Sequence, residues 1–412
     1  QIAWFLNLRG SDIDYNPVFF SYAVVKKNRL GDWMSTLYVN LKQLSADAGS
    51  YLREYAVALS DKAAFWTDLE QFKGWKIVVS PTCNMKIEEI LSSEGKENSL
   101  IHETPVQDLK IKKNNTEVSG MRNCQIRDGA AIISYLAWLD HELNVNKNTT
   151  ISEYSGAMKL RDCRAKQEDF VDLSFETISS IGSNGAIIHY APKEKESAII
   201  NNTEVYLLDS GGQYRDGTTD TTRTTHFGTP NAEEKEMYTR VLKCNLDLER
   251  VTFPDNQKIH GGNLEILARR HLWMTGKDFG HSTGHGVGHF LNVHEIPPLV
   301  HLWTKNVFEE GNVFSNEPGY YKVDHFGIRV ENVMVCNKSE VKKGFYEFEN
   351  LTIVPYEREL FDFGLLTRDD LDYINTYHQK VVEKVKPILE GFNDTIAIEW
   401  LAKKTAHIDF PQ

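Results

Sequence analysis

Apolar residues in the first quarter of the chain form short continuous runs that alternate with helix-type spacing. The continuous runs predict four strands, of which the third is short and exposed, at residues 2–8, 18–25, 35–39 and 77–80. Apolar residues three and four positions apart predict two helices, at residues 56–72 and 87–91. This alternation is typical of an α/β domain, and the Lys- and Asn-rich segment 110–115 indicates where that domain ends.

Beyond that segment the pattern changes to amphipathic helices that alternate with strand-like runs. The predicted helices are residues 120–143, 152–168, 231–251, 263–274, 367–389 and 396–403. A strand is also predicted at residues 186–190, with His189 near its end. The chain is therefore expected to contain two domains, an α/β domain at residues 1–113 and an α+β domain at residues 114–412.

Two alternating runs between residues 205 and 222 predict a β-hairpin. They are joined through Gly211-Gly212 and through Asp216-Gly217, a pair that favours tight turns. Because successive side chains of a strand point to opposite faces, Asp209 on the first run and Asp220 on the return run can face the same side. The hairpin can therefore bring two carboxylates together.

A histidine-rich segment follows at residues 280–289. His281, His285 and His289 lie four positions apart, a spacing that would align them on a helix. The three glycines among them disfavour that helix by about 1 kcal/mol each relative to alanine. A glycine-rich loop or strand end that presents one or more imidazoles is therefore expected.

Two more carboxylates lie on or at the end of predicted strands. Glu317 ends an apolar run and precedes Pro318-Gly319, the pair that a type II turn prefers at its central positions. Glu331 shares a strand face with Arg329, so the guanidinium can orient that carboxylate from behind. Taken singly, each residue of these kinds is usually a turn, core or surface residue, and the interest lies in their combination.

The combination is the ordered set Asp209, Asp220, His285, Glu317 and Glu331. It resembles the dinuclear metallohydrolases of the pita-bread fold, which include methionine aminopeptidase, prolidase and aminopeptidase P. Longer segments, such as Asn184-Gly-Ala-Ile-Ile-His-Tyr-Ala-Pro and Phe290-Leu-Asn-Val-His-Glu, are similar to the eukaryotic cytosolic-type X-prolyl aminopeptidases. The resemblance covers nearly the whole chain. It implies an α/β creatinase-like domain before a pita-bread catalytic domain, with a further domain ahead of both.

The resemblance implies two divalent metal ions and assigns their ligands. Asp209 would bind one ion, and His285 and Glu317 would bind the other. Asp220 and Glu331 would bridge the two. Four carboxylates carry about four negative charges, so they can neutralise two divalent cations, and such an oxygen-rich set favours Mn²⁺, with Co²⁺ or Zn²⁺ as alternatives.

The resemblance also implies the catalytic roles. Glu317 would take a proton from the water that bridges the metals, and His294 would stabilise the oxyanion formed in the reaction. His189 and His281 would line the cleft and help to carry protons. The implied substrate-binding residues are His189, His281, His294, Arg329 and Tyr321.

Composition adds limits on partners and compartment. The 412 residues include 46 basic and 58 acidic ones, for a formal net charge of −12. Because no sustained basic stripe occurs, neither nucleic acid nor a membrane is an expected partner. Five scattered cysteines without Cys-x-x-Cys spacing predict reduced thiols, and no run reaches the roughly 20 apolar residues of a membrane span. A cytoplasmic protein is predicted.

The implied activity is that of a metallo-aminopeptidase. It would release the first residue from peptides whose second residue is proline, by attack of a metal-bridging hydroxide on the Xaa-Pro bond. A prolidase restricted to Xaa-Pro dipeptides is the nearest alternative. An inactive pita-bread module that binds peptides or acts as a chaperone is the alternative of another class, which the intact ligand set disfavours.

A homodimer is also implied by the resemblance. On the helix predicted at residues 263–274, Trp273 and Ile266 lie opposite the apolar stripe that should face the core. Large apolar residues on the outer face of a helix, next to arginine, are typical of interface centres. Trp273 is therefore predicted to lie at or near a two-fold dimer interface.

Overall fold

The computed structural model describes residues 1–92 and 100–410. It divides into two compact units, Gln1–Lys110 and Ile111–Gln412. The domain boundary predicted after residue 113 lies close to this division and stays a prediction. In the described part of the chain, every helix is too short or too polar to cross a lipid bilayer.

The amino-terminal unit mixes short helices and short strands. Its helices are α1 (Ile2–Phe5), α2 (Ala46–Glu54), α3 (Phe65–Leu69), α4 (Met85–Leu91) and α5 (Pro105–Lys110). Its strands are β1 (Tyr22–Lys27), β2 (Trp33–Val39), β3 (Val57–Asp61), β4 (Ile77–Val79) and β5 (Leu100–His102). Strand β2 pairs antiparallel with β1 and parallel with β3, and β4 and β5 form a separate parallel pair.

Several predictions for this unit are wrong. Residues 2–8 contain the helix α1 instead of a strand. A continuous apolar run this short shows neither helical nor strand periodicity, so its spacing cannot distinguish the two structures. Residues 56–72 begin with β3 and reach a helix only at Phe65, since β3 is held by pairing with β2. The strand predicted to be exposed is β2, which lies in the middle of its sheet and buries Leu37 completely.

The carboxy-terminal unit contains the long helices. These are α6 (Asn115–Asn144), α7 (Glu153–Arg164), α8 (Ala232–Glu249), α9 (Gly261–Leu264), α10 (Arg270–Trp273), α11 (Arg368–Gly391) and α12 (Thr395–Lys404). The first residues outside α6, α7, α8 and α11 cap those helices with their side chains, each in a reciprocal capping box: Asn114, Ser152, Asn231 and Thr367. The helices predicted at residues 120–143, 152–168, 231–251 and 367–389 correspond to these four, and their ends differ by a few residues.

The single helix predicted at residues 263–274 is wrong. The segment is broken into α9, a 3₁₀ turn at Glu265–Ala268, and α10. Arg269 leaves the helical conformation, with φ −121° and ψ −23°. Its buried guanidinium instead donates to Glu265 Oε1 at 2.6 Å and to the carbonyl oxygen of His281 at 2.8 Å. These tertiary contacts outweigh the local helical pattern.

The strands of this unit form several antiparallel sheets. They are β6 (Phe170–Leu173), β7 (Ile178–Ile181), β8 (Val205–Ser210), β9 (Gly212–Tyr214), β10 (Gly217–Thr218), β11 (Thr221–His226), β12 (Thr252–Pro254), β13 (Gly284–Gly286), β14 (Glu295–Val300), β15 (Val313–Asn316), β16 (Gly319–Lys322), β17 (Phe326–Arg329), β18 (Asn332–Lys338) and β19 (Phe345–Asn350). The largest sheet has the order β12-β19-β18-β15-β13-β14, and a second has the order β11-β8-β7. The strand predicted at residues 186–190 is absent, because a 3₁₀ turn at Gly182–Ala186 leads into a loop there.

A large apolar core supports these sheets from behind. It joins α6, α8 and α11 to β8 and β17, through fully buried side chains such as Leu136, Leu242, Val381, Tyr206 and Ile328. Burial of each such side chain contributes roughly 1.5–3 kcal/mol. This packing fixes β8 and β17, two of the strands that carry the candidate site.

Candidate active site

The predicted hairpin brings Asp209 and Asp220 to one cavity. Strands β8 and β11 pair antiparallel, with Asp209 opposite Thr222, and Asp220 lies one residue before β11. The connection between them forms its own small hairpin, in which Tyr214 pairs with Gly217. Both carboxylates are buried and line the same cavity of about 230 Å³.

His285 lies on β13, next to the edge strand β14 of the six-stranded sheet, as a strand-end interpretation of the glycine-rich segment predicts. Its glycine neighbours are required by close packing: a Cβ atom on Gly284 would lie 1.8 Å from the Ser315 carbonyl oxygen, and one on Gly286 would lie 2.2 Å from that of Glu295. Because a carbonyl oxygen only accepts, the 2.8 Å contact to the Gly286 carbonyl places the imidazole proton on Nδ1. The other ring nitrogen, Nε2, faces the carboxylates.

That nitrogen is close to two acidic groups. His285 Nε2 lies 3.4 Å from Asp220 Oδ2 and 3.3 Å from Glu317 Oε1. Glu317 follows the last residue of β15, and its Oε1 accepts a hydrogen bond from Ser315 Oγ at 2.9 Å. The type II turn predicted after it is wrong, because Gly319 already belongs to β16 and does not have the positive φ that such a turn needs.

Glu331 joins the cluster from the link between β17 and β18. Its backbone N–H donates to the Thr222 carbonyl oxygen at 3.1 Å, and the Thr222 hydroxyl donates to Glu331 Oε2 at 2.8 Å. Arg329 does not contact this carboxylate directly, contrary to the sequence-based expectation. Its Nη2 donates to Asp209 Oδ2 at 2.6 Å, and its Nε donates to the Thr222 hydroxyl at 3.1 Å. The guanidinium therefore orients Asp209 and reaches Glu331 only through Thr222.

The buried carboxylates of the cluster favour the binding of a cation. Burial raises the pKa of Asp220 and of Glu331 well above the usual range, and the neighbouring carboxylates raise both further. Burial also raises the pKa of Glu317, against the lowering effect of His285. So many acidic groups in one buried place repel each other unless positive charge is bound among them.

The residues fit a divalent metal. Ligand atoms of Asp220, His285 and Glu331 lie within 4.8 Å of one another. Asp209 Oδ1 is buried and has no hydrogen-bond partner among the described residues, so this oxygen is free to bind an ion. A set of carboxylates with one imidazole suits hard or borderline cations. Asp209 and Glu317 line the same cavity as this group.

His294 and His189 also line the cavity. The His294 ring lies 4.2 Å from the His285 ring, nearly perpendicular at 85°. Partial burial, and to a smaller extent the neighbouring His285, lower the pKa of His294 to about 4. Its imidazole is therefore neutral at pH 7 and can donate one N–H. His189 is exposed on the loop that follows the 3₁₀ turn.

His281 and Tyr321 lie behind Arg329. The Tyr321 hydroxyl accepts a hydrogen bond from Arg329 Nη1 at 2.8 Å and donates to His281 Nε2 at 2.8 Å. His281 Nδ1 donates to the Ser282 carbonyl oxygen at 2.8 Å. Burial lowers the pKa of His281 to about 4 and raises that of Tyr321 to about 12, so both are neutral. Neither side chain lines the cavity. Both are connected to it by the hydrogen bond between Tyr321 and Arg329, which does line it.

Other cavity-lining residues were not identified from the sequence. The additional lining residues are Phe175, Glu176, Ile178, Ile188, Tyr190 and Ala191. Ile178 is placed there by its pairing with Asp209 between β7 and β8. Residues 178–181 read Ile-Ser-Ser-Ile, and nothing in this local pattern indicates a strand or its pairing partner some thirty positions away.

A family model described as metallopeptidase family M24 matches residues 119–338, which is more than half of the 412 residues. The chain belongs to metallopeptidase family M24. Models described as the Creatinase/Prolidase N-terminal domain and the C-terminal region of peptidase M24 match residues 1–117 and 344–408. These matches confirm the predicted family and the predicted order of a creatinase-like domain before a pita-bread domain.

Relatives of this M24 chain include fungal proteins named probable Xaa-Pro aminopeptidase P. The protein from Botryotinia fuckeliana is 44% identical over 423 aligned positions, which cover 98% of this chain and 62% of the relative. The protein from Pyrenophora tritici-repentis is 44% identical over 429 positions, which cover 98% of this chain and 70% of the relative. The M24 chain thus spans roughly two thirds of the length of these relatives.

Solved structures also match this chain. An X-prolyl aminopeptidase from Caenorhabditis elegans, described as a cytosolic enzyme with a di-nuclear active site, matches with a TM-score of 0.91 at 34% identity. That match covers 99% of this chain and 66% of the other. The prolidase from Pyrococcus furiosus matches with a TM-score of 0.61 at 24% identity, over 78% of this chain and 88% of the other, and shares the fold alone.

Proposed function

We propose that this chain is the catalytic part of a metal-dependent aminopeptidase that releases the first residue from peptides with proline in the second position. The observation that carries the proposal is the convergence of Asp220, His285 and Glu331 within 4.8 Å, in a cavity that Asp209 and Glu317 also line. The similarity to proteins named Xaa-Pro aminopeptidase supports the choice of substrate.

In the proposed site, two divalent cations have five protein ligands. Asp209, Asp220, His285, Glu317 and Glu331 would hold these ions. When bound, such ions lower the pKa of water enough to supply a nucleophile near neutral pH. The ligand oxygens favour Mn²⁺, and Co²⁺ or Zn²⁺ remain possible occupants of the same donor set.

The protein side chains manage protons and charge. Glu317 receives the proton of the attacking water and returns it to the prolyl nitrogen as the Xaa-Pro bond breaks. This return is needed because the prolyl nitrogen of a tertiary amide has no hydrogen of its own. His294 donates its N–H to the oxygen that becomes negative during attack, the type of contact that acts mainly in the transition state.

The remaining side chains bind and orient the peptide. His189 lies on the exposed wall of the cavity, where it can contact the substrate. Arg329 holds Asp209 and is itself held by Tyr321, which in turn bonds to His281. We propose that Arg329, Tyr321 and His281 together position the metal ligand Asp209. His281 can also exchange a proton through the Tyr321 hydroxyl.

Metal removal and a substrate pair test the proposal. Chelation should abolish cleavage of an Xaa-Pro-Xaa tripeptide, and added Mn²⁺ should restore it. Full activity in a thoroughly metal-depleted sample would contradict the metal mechanism. A prolidase would cleave the matching Xaa-Pro dipeptide and spare the tripeptide, whereas an inactive binding module would bind the tripeptide without releasing its first residue.

We also propose a homodimer and a cytoplasmic location. Trp273 is 39% exposed, and the apolar side chains of Ile266 and Met274 are 51% and 74% exposed in the same segment. Trp273→Glu should convert a dimer to monomers in sedimentation experiments, and an unchanged dimer would place the interface elsewhere. The five unpaired cysteines, four of them buried, suit a reducing compartment.

A further inference from the structure

A fully buried carboxylate outside the metal cluster has no role in the proposed reaction. Glu153 is the first residue of α7 and has 0% exposure. It does not line the cavity. Buried carboxylates are retained only where hydrogen bonds replace the water that they lose, so the partners of Glu153 indicate its purpose.

Those partners all belong to one segment of the chain. Oε1 accepts hydrogen bonds from the backbone N–H of Ile181 at 2.8 Å and from Asn184 Nδ2 at 2.9 Å. Oε2 accepts from the Tyr190 hydroxyl at 2.5 Å and from the backbone N–H of Ala198 at 3.0 Å. One carboxylate therefore holds the beginning, the middle and the end of residues 181–198.

The same segment forms one side of the substrate cavity. Ile188, His189, Tyr190 and Ala191 line it, yet within the segment the only regular element is the 3₁₀ turn at Gly182–Ala186. Because no strand pairing fixes residues 187–191, their position depends on side-chain contacts. Glu153 provides such contacts. Its carboxylate accepts hydrogen bonds from four groups of the segment, although Glu153 itself does not line the cavity.

A second contact fixes the segment to the strand that carries Arg329. The backbones of Gly185 and Gly327 approach so closely that a Cβ atom on Gly327 would lie 1.7 Å from the Gly185 carbonyl oxygen. Gly327 belongs to β17, two residues before Arg329. The 3₁₀ turn is thus held on one side by Glu153 and on the other by β17.

We infer that Glu153 is a positioning residue whose carboxylate closes residues 181–198 into a fixed loop and thereby holds His189 at the substrate cavity. This inference rests on the proposed function to the extent that His189 contacts the peptide. The loop closure itself does not depend on that function.

The inference requires a carboxylate in particular. All four groups that face Glu153 are donors, so an acceptor-only side chain satisfies them and an amide does not. Burial and the hydrogen bond to Glu153 raise the pKa of Tyr190, which keeps its hydroxyl protonated and able to donate. Glu153→Gln would turn an N–H group toward other donors, although it keeps the size of the side chain.

Two variants and one control test the inference. Glu153→Gln and Tyr190→Phe should lower kcat/KM for an Xaa-Pro-Xaa tripeptide by about ten- to a hundredfold, mainly through a higher KM, since a misplacement of about 1 Å can cost that much. Amide hydrogen exchange of residues 181–198 should become faster, while Mn²⁺ binding measured by calorimetry stays unchanged. Tyr154→Phe removes the same atom from the next residue of α7 and should behave as the wild type.

The outcomes separate positioning from stability. A lower melting temperature with unchanged KM would show that Glu153 is merely structural and would overturn the inference. If Glu153→Gln does not fold, hydrogen exchange of residues 181–198 in Tyr190→Phe decides the question, because Tyr190 itself lines the cavity and its kinetics alone would not. Combining Glu153→Gln with His189→Ala should add little to the loss of either single variant, and full additivity would contradict action through His189. Failure of the wild type to cleave the peptide would count against the proposed function, while hydrogen exchange would still test the loop.

Discussion

The two sides of the cavity are held in different ways. On the ligand side, Asp209 and His285 lie on paired strands, and the other three predicted ligands lie directly at strand ends. On the proposed substrate side, His189 lies on a loop, whereas His294 lies directly before β14. Strand pairing fixes the immediate neighbours of the five predicted ligands and of His294, whereas no strand adjoins His189, whose segment is held by the contacts of Glu153.

The difference follows from what each side must do. The four carboxylates among the proposed ligands repel each other unless cations are bound, so their spacing has to be maintained against that repulsion. A wall that contacts varied peptides needs less rigidity, and loops are where binding residues commonly lie. We therefore expect changes on the ligand side to affect metal content, and changes on the substrate side to affect kinetics with the metals retained.

The largest effect is expected for Glu331→Gln. The change keeps the shape and the hydrogen bond from Thr222 but removes the charge of a proposed metal ligand. Loss of kcat/KM should exceed the roughly 10–100-fold that follows from changing a residue behind a ligand. Metal analysis of the purified variant should give fewer than two ions per chain.

The control for that variant needs an unburied glutamate. Glu295 is unsuitable, because it is buried in an ion pair with Lys113 and its replacement would destabilise the fold. Glu347 on β19 is partly exposed and outside the cavity. Glu347→Gln should keep full metal content and activity, and an equal loss in both variants would contradict the ligand assignment.

A smaller effect with a different signature is expected for His294→Ala. Removal of one donor to the developing oxyanion should lower kcat by about 10²–10³ and change KM little. Metal content should stay at the wild-type value, since His294 is on the substrate side. His301→Ala, in the loop after β14 and outside the cavity lining, is the matched control. A higher KM with intact kcat would make His294 a substrate-binding residue instead.

The ligand side was also the more predictable one. Alternation along β8 and β11, and the glycines around His285, identify where Asp209, Asp220 and His285 lie, because these signals are local. The break at Arg269 and the buried position of Glu153 could not be predicted, since their partners are distant in sequence. Arg269 bonds to the carbonyl oxygen of His281, and Glu153 bonds to residues 28–45 positions away. Periodicity reports which face of an element is apolar and carries no information on such pairs.

The smallest effect is expected at the boundary between the two sides, where Tyr321 links Arg329 to His281. Tyr321→Phe removes the hydroxyl and leaves Arg329 with its bonds to Asp209 and Thr222, so both metals should stay bound. Loss of one supporting contact behind a ligand should lower kcat/KM by about tenfold. Tyr320→Phe removes the same atom from the preceding residue of β16, whose ring points to the core, and should have no effect on activity. Measured kcat/KM and metal content decide the outcome: a loss of metal in Tyr321→Phe would assign this tyrosine to the ligand side, and wild-type kinetics would show that Arg329 needs no support from His281.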